Sequence, residues 1–529
     1  MNLGRMLSQV AARWPDRAAV TWGDCTVTWS GLDRRSDALA AALRRLGAGP
    51  GDRIALLMRN RPELLEAMYA AFKAGMVVVP LNSKLPAAEV AYHLEDSGAA
   101  ALVTDEAGAA EVGDPGVPLI VTGEGYERLV AEYADIAQEI VDVRVDTVAW
   151  LFYTSGTTGR PKGAMLTHGG LAFVVGSWLA DLTPMDEGDV TLHAAPLSHG
   201  AGFHALAAVA RGAHQVIPTG EQFDPPTVLA LMREQRVTNT WMVPTQITML
   251  SDHLSGALPN LPDLRHMVYG GAPFPPAELA AALRTFGPVL VQLYGQGESP
   301  MTMTWLPAAD HPDPDGADTA LLRSAGRPRP GMDVRIVEPE TGAALETDEV
   351  GEIAVSGPAV MAGYWNRPEE TAKALRDGWL HTGDLGSIDS HGWLFLLDRS
   401  KDMIITGGSN VYAIEVERAL LEHAGVADVA VIGTPDRTWG ETVTAVVVAH
   451  PGGADSRELT AHAKLLLAPY KVPRRFEFVD AIPRNAYGKI DKRSLRERFD
   501  PAVPCPQAAG GYPSEIADGS DLYMRIRER

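Results

Sequence analysis

Cysteine is scarce in this sequence: Cys25 and Cys505 are the only two in 529 residues. Two cysteines cannot form the disulfide framework of a small secreted protein, which favours a reducing compartment. The sequence also lacks a run of about 18 uncharged apolar residues, the length that a membrane-spanning helix requires. Charged residues interrupt the segment Met1–Val20, so we predict an amphipathic surface helix there rather than a secretory signal, and a cytoplasmic protein.

Basic residues are outnumbered by acidic ones. The chain has 46 Lys and Arg against 67 Asp and Glu, a formal net charge of −21 at pH 7. Such a balance repels nucleic-acid phosphates and anionic membranes, so it disfavours nonspecific binding to either. With 46% hydrophobic and 21% charged residues, the composition is that of a globular protein. The length exceeds one ordinary core, so we expect a large domain and at least one smaller one.

Three common catalytic signatures are missing as well. No G-x-S-x-G is present, which disfavours an α/β-hydrolase, and no G-x-G-x-x-G follows a strand, which disfavours the simplest dinucleotide site. The Walker sequence G-x-x-x-x-G-K-S/T is absent. His199 and His204 are not spaced as in H-E-x-x-H and have no cysteine beside them, so we do not expect a zinc site.

Short apolar runs alternate with helical patterns through the first part of the chain, as in Arg53–Leu57 followed by Glu63–Gly75. This alternation predicts α/β layers. After about Pro328 the strand-like segments are separated by turns alone, which predicts a β-rich subdomain. From about Asp402 strands and helices alternate again, which predicts a compact domain, and the proline- and glycine-rich tail from Asp500 is expected to lack a packed core.

A stretch rich in glycine and hydroxyl side chains follows the apolar segment Val148–Phe152. Glycines let backbone N–H groups approach an anion closely, hydroxyls add donors and a lysine adds positive charge. The pattern therefore predicts a phosphate-binding loop. Its candidate residues are Thr154, Ser155, Gly156, Thr157, Thr158, Gly159 and Lys162.

At Tyr153–Gly163 the sequence resembles the adenylate-forming superfamily of acyl- and aryl-CoA synthetases, luciferases and nonribosomal adenylation domains, and looks most like bacterial acyl-CoA ligases. The resemblance runs to about Arg493. It implies an α/β fold with the active site at the junction of a large domain and a small, mobile α+β domain. The implied parts are an adenylation domain at 1–398 with its β-rich part at about 329–398, a hinge at 399–402, the small domain at 403–499 and a tail at 500–529.

One further segment resembles a nucleotide-binding motif of this superfamily, Tyr-Gly-x-Thr-Glu. Here Tyr294, Gly295, Gln296 and Glu298 match it. The resemblance implies that the glutamate holds Mg²⁺ on the ATP phosphates, a role that suits a hard carboxylate oxygen. Gly297 stands where the family has threonine, so the phosphate contact of that threonine is lost or supplied elsewhere.

Two more motifs bear on the nucleotide and the hinge. Asp384 lies in a Thr-Gly-Asp sequence whose aspartate, in the family, accepts hydrogen bonds from both ribose hydroxyls, as a carboxylate can. Arg399 resembles the arginine that also reaches the ribose. Lys401 and Asp402 resemble the pivot of the hinge between the two domains.

The segment Pro483–Ile490 resembles the C-terminal lysine motif, so Lys489 is the first catalytic candidate, beside Glu298. The substrate carboxylate attacks the α-phosphate of ATP, and a positioned ammonium lowers the electrostatic cost of bringing two anions together. In the family the small domain then rotates and withdraws this lysine. The rotation brings in a glycine loop, here Gly407 and Gly408, so that a thiol can attack the adenylate.

For the acid pocket, the resemblance points to His199, Gly270, Gly271 and Ala272. The histidine would stack on or gate the acid, and the glycines would leave room for a flat or narrow acyl group. Ordinary strand-end loops with an interior histidine are the alternative interpretation. Trp241 is a candidate for the pocket wall, and core packing explains it equally well.

The predicted activity is ATP- and Mg²⁺-dependent formation of acyl-AMP with release of pyrophosphate, then transfer to coenzyme A. A carrier-protein thiol or an amine as acceptor, or an inorganic acid such as nitrite as substrate, is the alternative. Coenzyme A or a separate carrier protein is the expected partner, and nucleic acid is not expected to bind. The chain could form a homodimer. Another class, a non-catalytic scaffold, conflicts with the joint presence of Lys162, Glu298, Asp384, Arg399 and Lys489.

Overall fold

The computed structural model describes most of the chain, which forms four β-sheets in its described parts. The described residues are 2–136, 139–154, 160–220, 222–316, 319–399, 402–406, 409–436, 439–485 and 489–499.

The first sheet has six strands, parallel except for its last one. In spatial order they are β6 (Leu119–Val121), β5 (Ala99–Thr104), β3 (Arg53–Leu57), β4 (Val77–Leu81), β7 (Val148–Thr154) and β8 (Lys162–Thr167). Every residue of β4 is buried, as expected for an apolar, valine-rich strand inside a parallel sheet. The antiparallel pairing of β7 and β8 sets Thr154 opposite Lys162 across the loop that joins them.

The second sheet has nine strands, with antiparallel hairpins at both edges and parallel strands between them. In order they are β15 (Arg327–Pro328), β14 (Ser299–Leu306), β13 (Leu290–Gln296), β12 (His266–Tyr269), β11 (Asn239–Met242), β9 (Val190–Leu192), β10 (His214–Ile217), β1 (Ala18–Trp22) and β2 (Cys25–Thr28). Parallel strands end at one edge of a sheet, where ligands of α/β proteins usually bind.

Helices connect these strands. They are α1 (Gly4–Arg13), α2 (Trp29–Arg45), α3 (Pro62–Lys73), α4 (Ala87–Ser97), α5 (Glu106–Val112), α6 (Glu124–Glu132), α7 (His168–Ser177), α8 (Gly200–Arg211), α9 (Pro225–Glu234), α10 (Pro244–Leu254) and α11 (Pro276–Phe286). Several begin at a side-chain cap, as α2 does, where the Thr28 hydroxyl accepts a hydrogen bond from the Gly31 N–H. Helical turns of other types cover Trp178–Leu182, Ala308–Asp310 and Ala320–Arg323.

The third sheet is antiparallel and lies in the segment predicted to be β-rich. Its strands are β16 (Asp333–Val337), β17 (Gly351–Ser356), β19 (Trp379–Ile388), β18 (Leu375–Arg376) and β20 (Leu394–Arg399), and α12 (Pro368–Ala374) precedes β18.

The fourth sheet belongs to the last part of the chain, which has hydrophobic cores of its own. It contains β22 (Ser409–Val411), β21 (Ile404–Thr406), β24 (Gly440–Ala449), β23 (Val426–Asp436) and β25 (Arg475–Phe478), with helices α13 (Ala413–Leu421), α14 (Ser456–Leu466) and α15 (Lys492–Phe499). Helix α14 starts with a capping box, in which Asp455 and Glu458 satisfy each other's backbone N–H groups. The domain limits drawn from the sequence stay predictions.

The helix expected near the N-terminus is present as α1, but it does not lie only on the surface. One face is buried, with Leu7 fully inaccessible, as is Leu3 directly before the helix, and α1 packs against α2 and α3. Within the described residues, no helix combines the length and the apolar character needed to cross a membrane. The cytoplasmic location stays a prediction.

A buried ion pair joins α2 to α3. The side chain of Lys73 is fully buried, and its Nζ lies 2.6 Å from Asp33 Oδ1 and 2.7 Å from Asp37 Oδ1. The two carboxylates are one helical turn apart on α2, so both point at the same ammonium. The pair fixes the position of α3 against α2 because a buried charge must keep its partners.

We expect Lys73→Met to lower the free energy of unfolding by about 3 kcal/mol, because it keeps the aliphatic stem but leaves two carboxylates without their ammonium. Arg5→Met is the matched control, since Arg5 and Asp142 form an exposed pair expected to contribute less than about 1 kcal/mol. Urea unfolding followed by tryptophan fluorescence measures both. Equal losses in the two variants would contradict the role assigned to Lys73.

Candidate active site

The two ends of the predicted phosphate loop are fixed by strand pairing. Thr154 ends β7, Lys162 begins β8, and the two are register partners. The Nζ of Lys162 lies 4.5 Å from the ring centroid of Tyr364, within the range of a cation–π contact. The loop therefore leaves and re-enters the sheet at adjacent positions, with a positive charge held at its exit.

Side chains that the sequence analysis did not identify brace this loop. The Tyr153 hydroxyl donates to Asp96 Oδ2 at 2.9 Å, and the Tyr92 hydroxyl donates to the Pro161 carbonyl at 2.8 Å. Arg367 forms an ion pair with Asp96. Tyr92 and Asp96 lie on α4, so one helix holds both sides of the loop. Burial raises the pKa of Tyr153, which keeps its hydroxyl protonated as a donor.

The carboxylate of Glu298 is nearly buried and firmly oriented. Its Oε1 accepts hydrogen bonds from Thr154 Oγ1 at 3.0 Å and from Tyr364 Oη at 2.7 Å. The Glu298 carbonyl accepts from the Met361 N–H at 2.8 Å, which fixes the backbone as well. Both donors point at one oxygen, and no described residue donates a hydrogen bond to Oε2.

The oriented carboxylate of Glu298 fits a Mg²⁺ ion bound to a nucleotide. Among the described residues no cluster of three or more His, Cys, Asp or Glu could hold a metal ion. Mg²⁺ is usually bound by one or two carboxylates together with substrate phosphates and water. A single oriented carboxylate beside a phosphate loop therefore suits a cation that arrives with ATP, and it does not suit a metal held by protein ligands alone.

Asp384 lies on β19 and is held from β13. Its Oδ2 accepts from Tyr294 Oη at 2.7 Å and from Gln296 Nε2 at 2.5 Å. The Gln296 amide also donates to the Thr382 carbonyl at 3.1 Å, which ties the two strands together. Arg399 of β20 is the register partner of Asp384. The two residues predicted to bind the ribose are thus neighbours across two strands.

Aromatic rings pack around His199, the residue that directly precedes α8. The His199 ring lies 4.7 Å from the ring of Phe152, and Phe152 lies 5.5 Å from Phe203, measured between centroids. Burial lowers the pKa of His199 to about 3, with a further contribution from the positive charge of Lys489. The imidazole is therefore neutral at pH 7 and presents a flat, uncharged surface.

The glycines assigned to the acid pocket differ in their surroundings. A Cβ on buried Gly270 would lie 2.6 Å from the Leu293 carbonyl oxygen, so Gly270 is required by the packing of neighbouring strands. Gly271 has φ +80° and is exposed, as is Ala272, and a Cβ on Gly271 would lie 3.8 Å from the Trp241 ring. Gly271 and Ala272 are the two that can line an opening.

Trp241 packs against the first residue of α8. A Cβ on Gly200 would lie 2.7 Å from the indole of Trp241 and 2.8 Å from the Met301 methyl carbon. The indole is 3% exposed and belongs to the large core cluster, whereas Met242 is fully buried in a second cluster. Trp241 thus reaches the region of His199 and Gly271 while it also fills the core.

Lys489 is bound to Asn485 in the last part of the chain. Its N–H donates to Asn485 Oδ1 at 3.1 Å, the Asn485 N–H donates to its carbonyl at 2.8 Å, and Arg484 and Ile490 form a β-bridge. Its positive charge contributes to the lowered pKa of His199, although the two residues are 290 positions apart in the sequence. The catalytic role of Lys489 stays a prediction.

Some of the predicted residues lie outside the described residues: Ser155, Gly156, Thr157, Thr158, Gly159, Lys401, Gly407 and Gly408. The other hinge candidate, Asp402, accepts from Arg496 Nη2 of α15 at 2.7 Å. That contact ties the start of the last part of the chain to its final helix.

Comparison with known proteins places the chain in a family. It matches the AMP-binding enzyme family over residues 7–365 and the C-terminal domain of AMP-binding enzymes over residues 415–489. It is 40% identical to a feruloyl-CoA synthase of an Amycolatopsis species, over 94% of this chain and 99% of the relative.

Two solved structures are similar over nearly the whole chain. ATP-bound MatB from Rhodopseudomonas palustris has a TM-score of 0.85 at 32% identity, covering 95% of this chain and 100% of MatB. The amide bond synthetase McbA from Marinactinospora thermotolerans has a TM-score of 0.85 at 32% identity, covering 94% and 100%. The predicted superfamily, the fold class and the enzyme class, an AMP-forming acid–thiol ligase, are confirmed. The chain belongs to the AMP-binding enzyme family.

Proposed function

We infer that the chain joins a carboxylic acid to coenzyme A at the expense of ATP, through an acyl-AMP intermediate. The observation that carries this function is a set of contacts among the predicted site residues. Glu298 accepts from Thr154 at the end of β7, and Asp384 accepts from Tyr294 and Gln296 of β13. The charge of Lys489 acts on His199, whose ring packs on Phe152 of β7. Adenylation requires a carboxylate for the cation bound to the phosphates and a second carboxylate for the ribose. It also requires a positively charged side chain where the two anions meet.

In the first step a carboxylate oxygen of the acid attacks the α-phosphorus of ATP, and the bond to the oxygen that bridges to the β-phosphorus breaks. Pyrophosphate leaves and acyl-AMP remains. Lys489 neutralises the two anions as they meet, the loop at 155–159 with Lys162 holds the phosphates, and Asp384 with Arg399 positions the ribose. Glu298 would hold Mg²⁺, whose charge offsets that of the leaving pyrophosphate.

In the second step the sulfur of coenzyme A attacks the acyl carbon, a thioester bond forms, and AMP leaves with the electron pair of the broken anhydride bond. Rotation of the small domain about Lys401 and Asp402 would withdraw Lys489 from the adenylate and bring the loop at Gly407 and Gly408 to it. The coenzyme A named for the feruloyl-CoA relative supports this acceptor.

An aromatic acid is the substrate class that the pocket favours. Phe152, His199 and Trp241 present flat rings, and the pKa of His199 keeps it uncharged beside an apolar acyl group. The relative that acts on ferulate, 40% identical, supports the same class. An amine acceptor is the second candidate, supported by the similarity to the amide bond synthetase.

We expect pyrophosphate release from ATP and Mg²⁺ to depend on added acid, with kcat/KM for ferulate or benzoate at least about tenfold above that for hexanoate or palmitate. The panel includes nitrite, and each acid is assayed with and without coenzyme A while the thioester is followed by mass spectrometry. Reactions without ATP are the control. Release without thioester, but with an amide when an amine is added, would contradict coenzyme A as the acceptor.

We expect Glu298→Gln to raise the Mg²⁺ concentration that gives half-maximal rate about tenfold or more, because it removes the charge on a ligand oxygen and keeps the carbonyl that accepts from Thr154 and Tyr364. Glu278→Gln is a matched control, since the exposed Glu278 carboxylate accepts from the Thr248 hydroxyl at 2.7 Å. Mg²⁺ titration of pyrophosphate release measures both. An unchanged Mg²⁺ dependence for Glu298→Gln would remove this residue from the metal site.

A further inference from the structure

Gly297 has no side chain because another residue occupies the space. A Cβ built on Gly297 would lie 2.4 Å from Cδ1 and 2.7 Å from Cε1 of Phe152, and 2.6 Å from the methyl carbon of Thr154. Its backbone is not in the left-handed region, so conformation alone would allow any residue there. Lack of space, and not backbone strain, therefore requires glycine.

The ring of Phe152 cannot easily move away. It is 5% exposed, with the ring of His199 centred 4.7 Å from it and the ring of Phe203 centred 5.5 Å from it. The methyl group of Thr154 is also fixed, because its hydroxyl donates to Glu298. A side chain at position 297 would thus push either on His199 through Phe152, or on Glu298 through Thr154.

We propose that Gly297 and Phe152 act as one unit, in which Gly297 provides the space for the Phe152 ring and Phe152 holds the His199 ring at the wall of the acid pocket. Phe152 is then a positioning residue for the acid, and it takes up the space in which the family's threonine would stand. The proposal rests on the proposed function only in assigning the acid to the side of His199. The mutual fit of Gly297 and Phe152 stands on the contacts alone.

A double-mutant cycle tests the pair, with Gly297→Thr, Phe152→Leu and both changes together. We expect Gly297→Thr alone to lower kcat/KM about 30-fold, because the new side chain displaces Phe152 and Thr154. Relative to the Phe152→Leu variant, the added Gly297→Thr change should lower kcat/KM about threefold or less. A residual loss is expected because the contact with Thr154 persists. Gly297→Ala, which adds only Cβ, repeats the comparison if the threonine variant does not fold.

The positioning role has a separate readout. Phe152→Leu alone should raise KM for the acid about fivefold while KM for ATP stays within about twofold. The ring packs on the His199 ring, and the residue of the nucleotide motif that it touches, Gly297, has no side chain to be displaced. Equal rises in both KM values would overturn the role of Phe152 in placing the acid. Equal effects of the Gly297 substitutions with and without Phe152→Leu would overturn the coupled pair.

Thermal unfolding separates this proposal from the proposed function. The Gly297 substitution should lower Tm clearly when Phe152 is present and much less together with Phe152→Leu, whether or not any acid is activated. If the parent protein activates no acid of the panel, the proposed function fails. The unfolding measurements still test whether Gly297 and Phe152 are coupled. Additive shifts in Tm would then reject it.

Discussion

The carboxylate of Glu298 ties the nine-stranded sheet to the six-stranded sheet. It belongs to the β13–β14 hairpin of the nine-stranded sheet, and it accepts hydrogen bonds from Thr154 of the six-stranded sheet and from Tyr364, which forms a β-bridge with Ala164 of β8. Tyr364 in turn lies under the ammonium of Lys162. Because one oxygen receives both donors, Thr154, at the start of the predicted phosphate loop, and the carboxylate proposed for Mg²⁺ cannot move independently.

Much of the fold follows from local pattern. Strand β3 has the predicted bounds, Arg53–Leu57, because a short apolar run between turn residues leaves few other ways to bury its side chains. Several site residues named from the sequence contact one another, as Thr154 contacts Glu298 and as Tyr294 and Gln296 contact Asp384. Their motifs are contiguous, so each could be recognised without knowledge of the fold.

The side chains that hold those residues could not be found in the same way. Asp96 meets Arg367 from 271 positions away, and Tyr364 meets Glu298 from 66 positions away, so no local spacing reveals either contact. The departure at Gly297 was visible in the sequence, but its cause was not. Only the folded chain shows that a ring from another sheet, that of Phe152, fills the place of the missing side chain.

We propose that Lys489 supplies positive charge for adenylation and takes no part in the later formation of the thioester. Acid-dependent exchange of labelled pyrophosphate into ATP, compared between Lys489→Ala and the exposed control Lys464→Ala, tests it most directly. The account predicts that Lys489→Ala loses exchange by about 100-fold or more yet forms thioester from supplied acyl-AMP, while Lys464→Ala behaves as the parent. Exchange at the parent rate in Lys489→Ala would contradict it.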